Sequence, residues 1–134
     1  MRIDDKKEEL GKFLEELEKI MPQDIKEYKE NFEKRAACER YLEKIIEACV
    51  DIGYLIIKKR KLKIPKDDGG VFLILGEEKI ISENLAEKLR DARGMRNILA
   101  HEYGNVDDEI IFSALTEEII RDINDFLKEI NKNE

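Results

Sequence analysis

The sequence predicts an all-α chain, an antiparallel bundle of four main helices with one additional short helical segment. Three observations lead there. Apolar residues recur at three- and four-residue steps in every long segment, the spacing that gathers them on one helical face. Strand-like alternation is nowhere sustained. Charged residues make up 43% of the chain, and Glu and Lys, both good helix formers, carry such a surface without disrupting a helix. The 42% hydrophobic content argues against disorder. A chain of 134 residues leaves no room for a second core, so one domain is expected over residues 1–134.

The elements follow in order. Leu10, Leu14, Leu17 and Ile20/Met21 define a first amphipathic helix from about Asp4 to Met21, interrupted by Pro22. A second, longer pattern begins near Asp24 and runs through Phe32, Tyr41, Ile45, Cys49, Ile52 and Ile56 to about Lys61. It contains Gly53, tolerable inside a helix at a cost of about 1 kcal/mol relative to Ala. Pro65 and the run Asp67-Asp68-Gly69-Gly70 mark 61–70 as a loop. Val71 to Leu75 is a short apolar run of one or two helical turns, ended by Gly76. Ser82 can cap a third main helix from Glu83 to about His101, which Gly104-Asn105 breaks. Asp107 or Asp108 can cap a last helix carrying Phe112, Leu115, Ile119, Ile123, Phe126 and Ile130. Helices with one apolar stripe each pack as a bundle. The second pattern is longer than one small bundle needs to cover, which points to dimerisation.

Composition removes several function classes. With 25 basic against 32 acidic residues the net charge is −7, so there is no global basic field to gather nucleic acid. Any RNA contact must come from a local basic patch or from oligomer geometry. No apolar run reaches membrane-spanning length, and the start, MRIDDKKEEL, has no apolar leader core. A cytoplasmic protein without membrane contact is expected. Cys38 and Cys49 fit neither a zinc pattern nor a disulfide framework and read as buried thiols. A single histidine excludes a multi-His metal site within one chain. Phosphate-binding glycine loops and a G-x-S-x-G elbow are absent from the sequence.

The informative stretch is Arg90 to Tyr103. On a helix, Leu85, Leu89, Ala92 and Leu99 form the apolar stripe and Arg96 falls close to its centre, where a charge is costly unless paired or facing a cavity or interface. Arg90, Asn97 and His101 gather on another face, with Arg93 and Ala100 between the two. Imidazole titrates near neutrality and is the usual proton-transfer group, while guanidinium binds phosphate oxygens and stabilises developing charge. Together they suit RNA phosphodiester cleavage with the neighbouring 2′-hydroxyl as nucleophile. That reaction uses both a base and an acid, and a two-fold dimer would bring two histidines and two copies of Arg96 together. Blander readings stay open. His101 can be a residue that favours the helix dipole, Arg90 and Arg93 can be solvated, Arg96 can form an ion pair with another helix, and the run Lys58-Lys59-Arg60-Lys61-x-Lys63 can be a solvated helix end.

Arg96-Asn97-Ile98-Leu99-Ala100-His101-Glu102-Tyr103 resembles the R-N-x-x-x-H-x-Y signature of HEPN-domain proteins, specifically the HepT-like toxins. The signature stands late on the penultimate main helix, and the long second pattern and the short apolar segment also match that family's layout. The resemblance implies a metal-independent, cofactor-free endoribonuclease that works as an all-α homodimer on tRNA or mRNA. Arg96 and His101 would then be catalytic and Asn97 would support them; Arg90 and Arg93, by their charge and not by the signature, are the expected RNA contacts. It also implies a partner, a nucleotidyltransferase antitoxin that adenylylates Tyr103 and so blocks the cleft. Two alternatives belong beside it: a non-catalytic helical subunit that binds a nucleotidyltransferase, and a structural helical dimer with Arg96 in an interface ion pair.

Overall fold

Five of the helices begin where a short polar side chain, Asp24, Asn31, Asp67, Ser82 or Asp107, takes up an orphan backbone N–H. A computed structural model describes residues 2–101 and 106–133. Its elements are α1 (Ile3–Ile20), α2 (Ile25–Glu30), α3 (Phe32–Lys59), α4 (Asp68–Glu77), α5 (Glu83–His101), α6 (Asp108–Ser113) and α7 (Ile120–Lys132), with a π-helical stretch, Ala114–Ile119, joining the last two. No strand occurs among the described residues. The four main helices are α1, α3, α5 and the α6–π–α7 run, and α4 is the short apolar segment.

Three boundaries differ from expectation. The long second pattern is two helices, because Asn31 takes an extended conformation and its side-chain oxygen accepts from Lys34 N at 3.0 Å. Asn competes with the helix for its own backbone and favours a cap. Apolar periodicity reports a face and continues across such a break. Asp24 caps α2 similarly, accepting from Glu27 N at 2.8 Å, while the Glu27 carboxylate accepts from Gln23 N at 2.8 Å. Next, the loop after α3 ends at Asp67, whose carboxylate accepts from Gly70 N at 2.9 Å, so both glycines lie in the first turn of α4. Last, Gly76 does not end α4. It lies inside the helix, where a Cβ would stand 2.9 Å from Ala86 Cβ of α5. The actual stop is Lys79 in the left-handed region (φ 59°), with Ile80 N donating to Leu75 O at 2.9 Å and Lys79 N to Gly76 O at 3.1 Å. Lys61 (φ 55°) closes α3 in the same way. These paired bonds satisfy the last carbonyls of a helix, a task usually given to glycine.

The C-terminal run shows why its pattern needs the π turn. Ile111, Leu115, Ile119 and Ile123 are all buried at steps of four. An α-helix drifts roughly 40° per such step, and the wider π turn brings the stripe back into line.

α1 packs on α3, α4 on α5 and α3, and α5 also on α3 and α7. A continuous buried cluster reaches from Leu10 to Ile130. Both cysteines are free and buried within it, and burial pushes the Cys38 thiol up to about 11. None of the described helices is long and apolar enough to cross a membrane.

At Gly53 α4 packs closely on α3, and a Cβ there would collide with Val71 Cγ1. Gly53→Ala, a gain of about 1 kcal/mol in an open helix, is therefore expected to destabilise by about 1–3 kcal/mol through overpacking. Urea unfolding checks this, and Val71→Ala in the same chain should relieve part of the Gly53→Ala loss.

Candidate active site

α5 carries the candidate residues, and its packing sets where each one points. Ser82 Oγ accepts from Leu85 N at 3.1 Å and starts the helix. Leu85, Ala86, Leu89, Ala92 and Leu99 are buried against the neighbouring helices, which fixes the rotation of α5 about its axis.

With that rotation set, Arg96 falls in line with the buried stripe, between Ala92 and Leu99. It is half-buried, and its Nε is closed to solvent with no hydrogen-bond partner. Among the described residues no carboxylate comes within ion-pairing distance of it, so the alternative of an ion pair with another described helix is not realised. A buried donor without an acceptor costs about 1–3 kcal/mol, and such an orphan calls for an explanation. Arg93 repeats the feature: its Nε is also buried and unpartnered. Its guanidinium lies against the first turn of α4, close enough that a Cβ on Gly69 would stand 3.4 Å from Nη1.

Arg90 is exposed, Asn97 is half-buried, and His101 is exposed as the last residue of α5. None of the three side chains has a hydrogen-bond partner among the described residues. On an ideal helix Arg90, Asn97 and His101 fall within roughly 40° of one another, whereas Arg96 and His101 are roughly 140° apart. One helix therefore aligns the amide and the imidazole but turns Arg96 toward a different flank. Tyr103 and the Gly104-Asn105 break lie outside the described residues.

Two concavities flank α5. A cleft of about 400 Å³ lies between it and the segment that leads into α4, bordered by Lys63, Lys66, Asp67, Glu77, Arg90 and Arg93. Arg90 and Arg93 thus converge with Lys63, the last residue of the lysine run. Lys58 to Lys61 and Arg96 do not line it. The second, a groove of about 480 Å³ between α5 and α6, has an apolar floor of Met95, Ile98, Val106, Ile110 and Ile111. Ile98 is 43% exposed and Ile110 59%, so this apolar strip lies open beside the candidate site.

Sequence reasoning did not single out Lys66, Ile98, Ile110 or Tyr54. The Tyr54 hydroxyl donates to Asp68 Oδ1 at 3.0 Å, and burial, then the Asp68 carboxylate, push its pKa up. The available signal for Ile98 was an isoleucine away from the apolar stripe of α5. Lys66 stood next to a turn and carried no signal of its own.

Comparison with known proteins adds three findings. The family model described as Ribonuclease HepT-like matches residues 10–130. A tRNA nuclease HepT of Aphanizomenon flos-aquae is 30% identical over 131 residues, covering 93% of this chain and 89% of that protein. A solved structure of a tri-AMPylated Shewanella oneidensis HEPN toxin in complex with an MNT antitoxin aligns with a TM-score of 0.90 at 23% identity, over 98% of this chain and 99% of that one, and so shares its fold.

Proposed function

The chain belongs to the HepT-like ribonuclease family, and from that premise we propose that it is the endoribonuclease toxin of a toxin–antitoxin pair, acting as a cytoplasmic homodimer. The observation that carries this reading is Arg96: a half-buried guanidinium with an orphaned Nε and no carboxylate partner among the described residues, five positions before an exposed histidine with no hydrogen-bond partner there. A structural arginine has its acceptor in the fold. One without it is placed for an acceptor that arrives from outside, and a phosphodiester is the ligand that suits guanidinium.

The chemistry follows from the two side chains. The RNA 2′-oxygen attacks the adjacent phosphorus while an imidazole takes its proton. The bond from phosphorus to the 5′-oxygen breaks, and a protonated imidazole donates to that leaving oxygen. Arg96 binds the non-bridging oxygens and stabilises the charge that builds on them. Asn97, on the His101 side of α5, orients the substrate or the imidazole. Because Arg96 and His101 diverge around the helix, a pair of α5 helices facing across a two-fold axis supplies what one helix does not: an arginine from one copy opposite a histidine of the other, and separate acid and base. The exposed apolar groove beside α5 supplies the surface for that pairing.

For Tyr103, two residues after His101, the reading is modification. The relative of known structure is named as AMPylated and bound to an antitoxin. A nucleotidyltransferase partner that adenylylates Tyr103 would set a bulky anion beside His101 and exclude RNA by volume and by charge.

The test is cleavage of total cellular RNA, tRNA included, by the purified protein in EDTA, with the intact mass recorded. Cleavage that persists in EDTA is the expected result. A folded, unmodified dimer that cleaves nothing across several salt concentrations would overturn the nuclease reading in favour of a non-catalytic subunit that binds a nucleotidyltransferase.

A further inference from the structure

The cleft beside α4 gathers positive charge in a chain whose net charge is −7. Four cations border it: Lys63 and Lys66 from the segment before α4, and Arg90 and Arg93 from α5. None of the four is in an ion pair among the described residues. Two carboxylates border it as well, Asp67 and Glu77. Asp67 is engaged as the cap of α4 through Gly70 N at 2.9 Å. The neighbouring Asp68 is engaged by the Tyr54 hydroxyl at 3.0 Å. Acidic residues outnumber basic ones 32 to 25, so four unpaired cations around one concavity are not what an even spread of charge produces. Arg93 sharpens the point, because its Nε is buried without an acceptor.

We propose that this cleft is a second phosphate subsite, which holds the backbone of the RNA substrate away from the scissile bond. The inference rests on the ribonuclease reading above and extends it to substrate class: a strand long enough to reach from His101 to the cleft. Arg90 shares its face of α5 with Asn97 and His101. At 1.5 Å per residue, Arg93 stands about 12 Å and Arg90 about 16 Å along the axis from His101. A phosphate held there is too far away to be the scissile one and close enough to belong to the same strand. The site also explains how an acidic protein handles a polyanion, since the attraction is local and the remaining surface repels poorly placed RNA. Lys63 and Lys66 on one wall and Arg90 and Arg93 on the other grip phosphates without reading bases, so the subsite contributes affinity and register and leaves sequence choice elsewhere.

The experiment uses the full chain carrying His101→Ala, which should bind RNA without cutting it, and a labelled single-stranded RNA oligonucleotide titrated at several salt concentrations. Lys63→Ala with Lys66→Ala removes two cations from the cleft. Lys58→Ala with Lys59→Ala removes the same charge from exposed positions outside it. Each phosphate contact on a single strand adds roughly 0.7 to the slope of log affinity against log salt. The cleft pair should therefore flatten the slope by roughly 1.4 and weaken binding about tenfold, and the outside pair should keep the original slope. In the cleaving protein the cleft pair should raise KM for a long RNA more than it lowers kcat, with melting temperature unchanged. Equal slopes for the two pairs would overturn the subsite, while cleavage by the unaltered protein would leave the ribonuclease reading standing. Absence of both RNA binding and cleavage would overturn the two together.

Discussion

His101→Ala should lower kcat for RNA cleavage by about 10⁴-fold, the upper end for loss of general acid–base catalysis, because in the proposed homodimer one substitution removes both the acid and the base. The folded state should not notice. His101 is exposed and has no hydrogen-bond partner among the described residues, so thermal unfolding and dimer affinity should match the unaltered protein. Arg96→Ala is the more discriminating partner experiment, since its two readings predict stability changes of opposite sign. If Arg96 is held for a phosphate, the unliganded protein already bears an unsatisfied buried Nε, and removing it should leave stability unchanged or raise it by up to about 1 kcal/mol. Activity should then fall about 10²–10³-fold with the loss of transition-state charge stabilisation. Arg96→Lys should recover little of it, because a point charge does not reproduce the two-pronged guanidinium contact. If Arg96 instead completes a structural ion pair across a dimer interface, Arg96→Ala should destabilise the dimer by about 3–5 kcal/mol. Chemical unfolding and RNA cleavage measured on one preparation separate the two readings. A destabilised dimer that still cleaves RNA would sink the catalytic assignment.

Much of the candidate site's placement was legible because it lies on one regular helix. The stripe Leu85, Leu89, Ala92 and Leu99 fixes the phase of α5, and a charge at Arg96 in that phase stands out as an anomaly of the apolar pattern itself. The caps at Ser82 and Asp107 were readable for the same local reason: a short polar side chain before an apolar period has one main use there. What stayed hidden depends on tertiary approach. Asn31 breaks the long second pattern although the apolar period continues across it. Lys61 and Lys79 take left-handed turns without the usual glycine, held by bonds back to Ile57 and Lys58 and to Leu75 and Gly76. Gly53 lies inside its helix as read and Gly76 does not stop α4, but that both are contact points, for Val71 and Ala86, was not readable. Both concavities beside α5 form between residues distant in sequence, so Lys66 could not be paired with Arg93, nor Ile98 with Ile110, by spacing alone.

Ile110→Glu is expected to split the proposed dimer and take the activity with it. Ile110 is 59% exposed and Ile98 43%, and both line the apolar groove between α5 and α6. An isolated chain gains nothing by holding two isoleucines in water at that place, and covering such a surface is worth about 25 cal/mol for each Å² removed from water. In a two-fold interface the same patch is used by both copies, so one substitution introduces two carboxylates. Each must be desolvated on association, and the two repel if they approach. A combined penalty of about 3–4 kcal/mol corresponds to a rise of about 10²–10³-fold in the dimer dissociation constant. Fold stability of the separated chain should hardly change, since the side chain already faces water there. On the proposed shared site, with an arginine from one copy and a histidine from the other, specific activity should fall at low protein concentration and return as concentration rises. A residue that contacts only substrate would not show that recovery. Phe32→Glu is the matched comparison: Phe32 is 67% exposed at the start of α3 and does not line the groove, so its loss should spare both the dimer and the activity. Analytical ultracentrifugation beside a dilution series of the cleavage assay measures both quantities. A monomeric Ile110→Glu protein that cleaves RNA at the original rate at every concentration would show that a single α5 suffices and that the shared-site geometry is wrong.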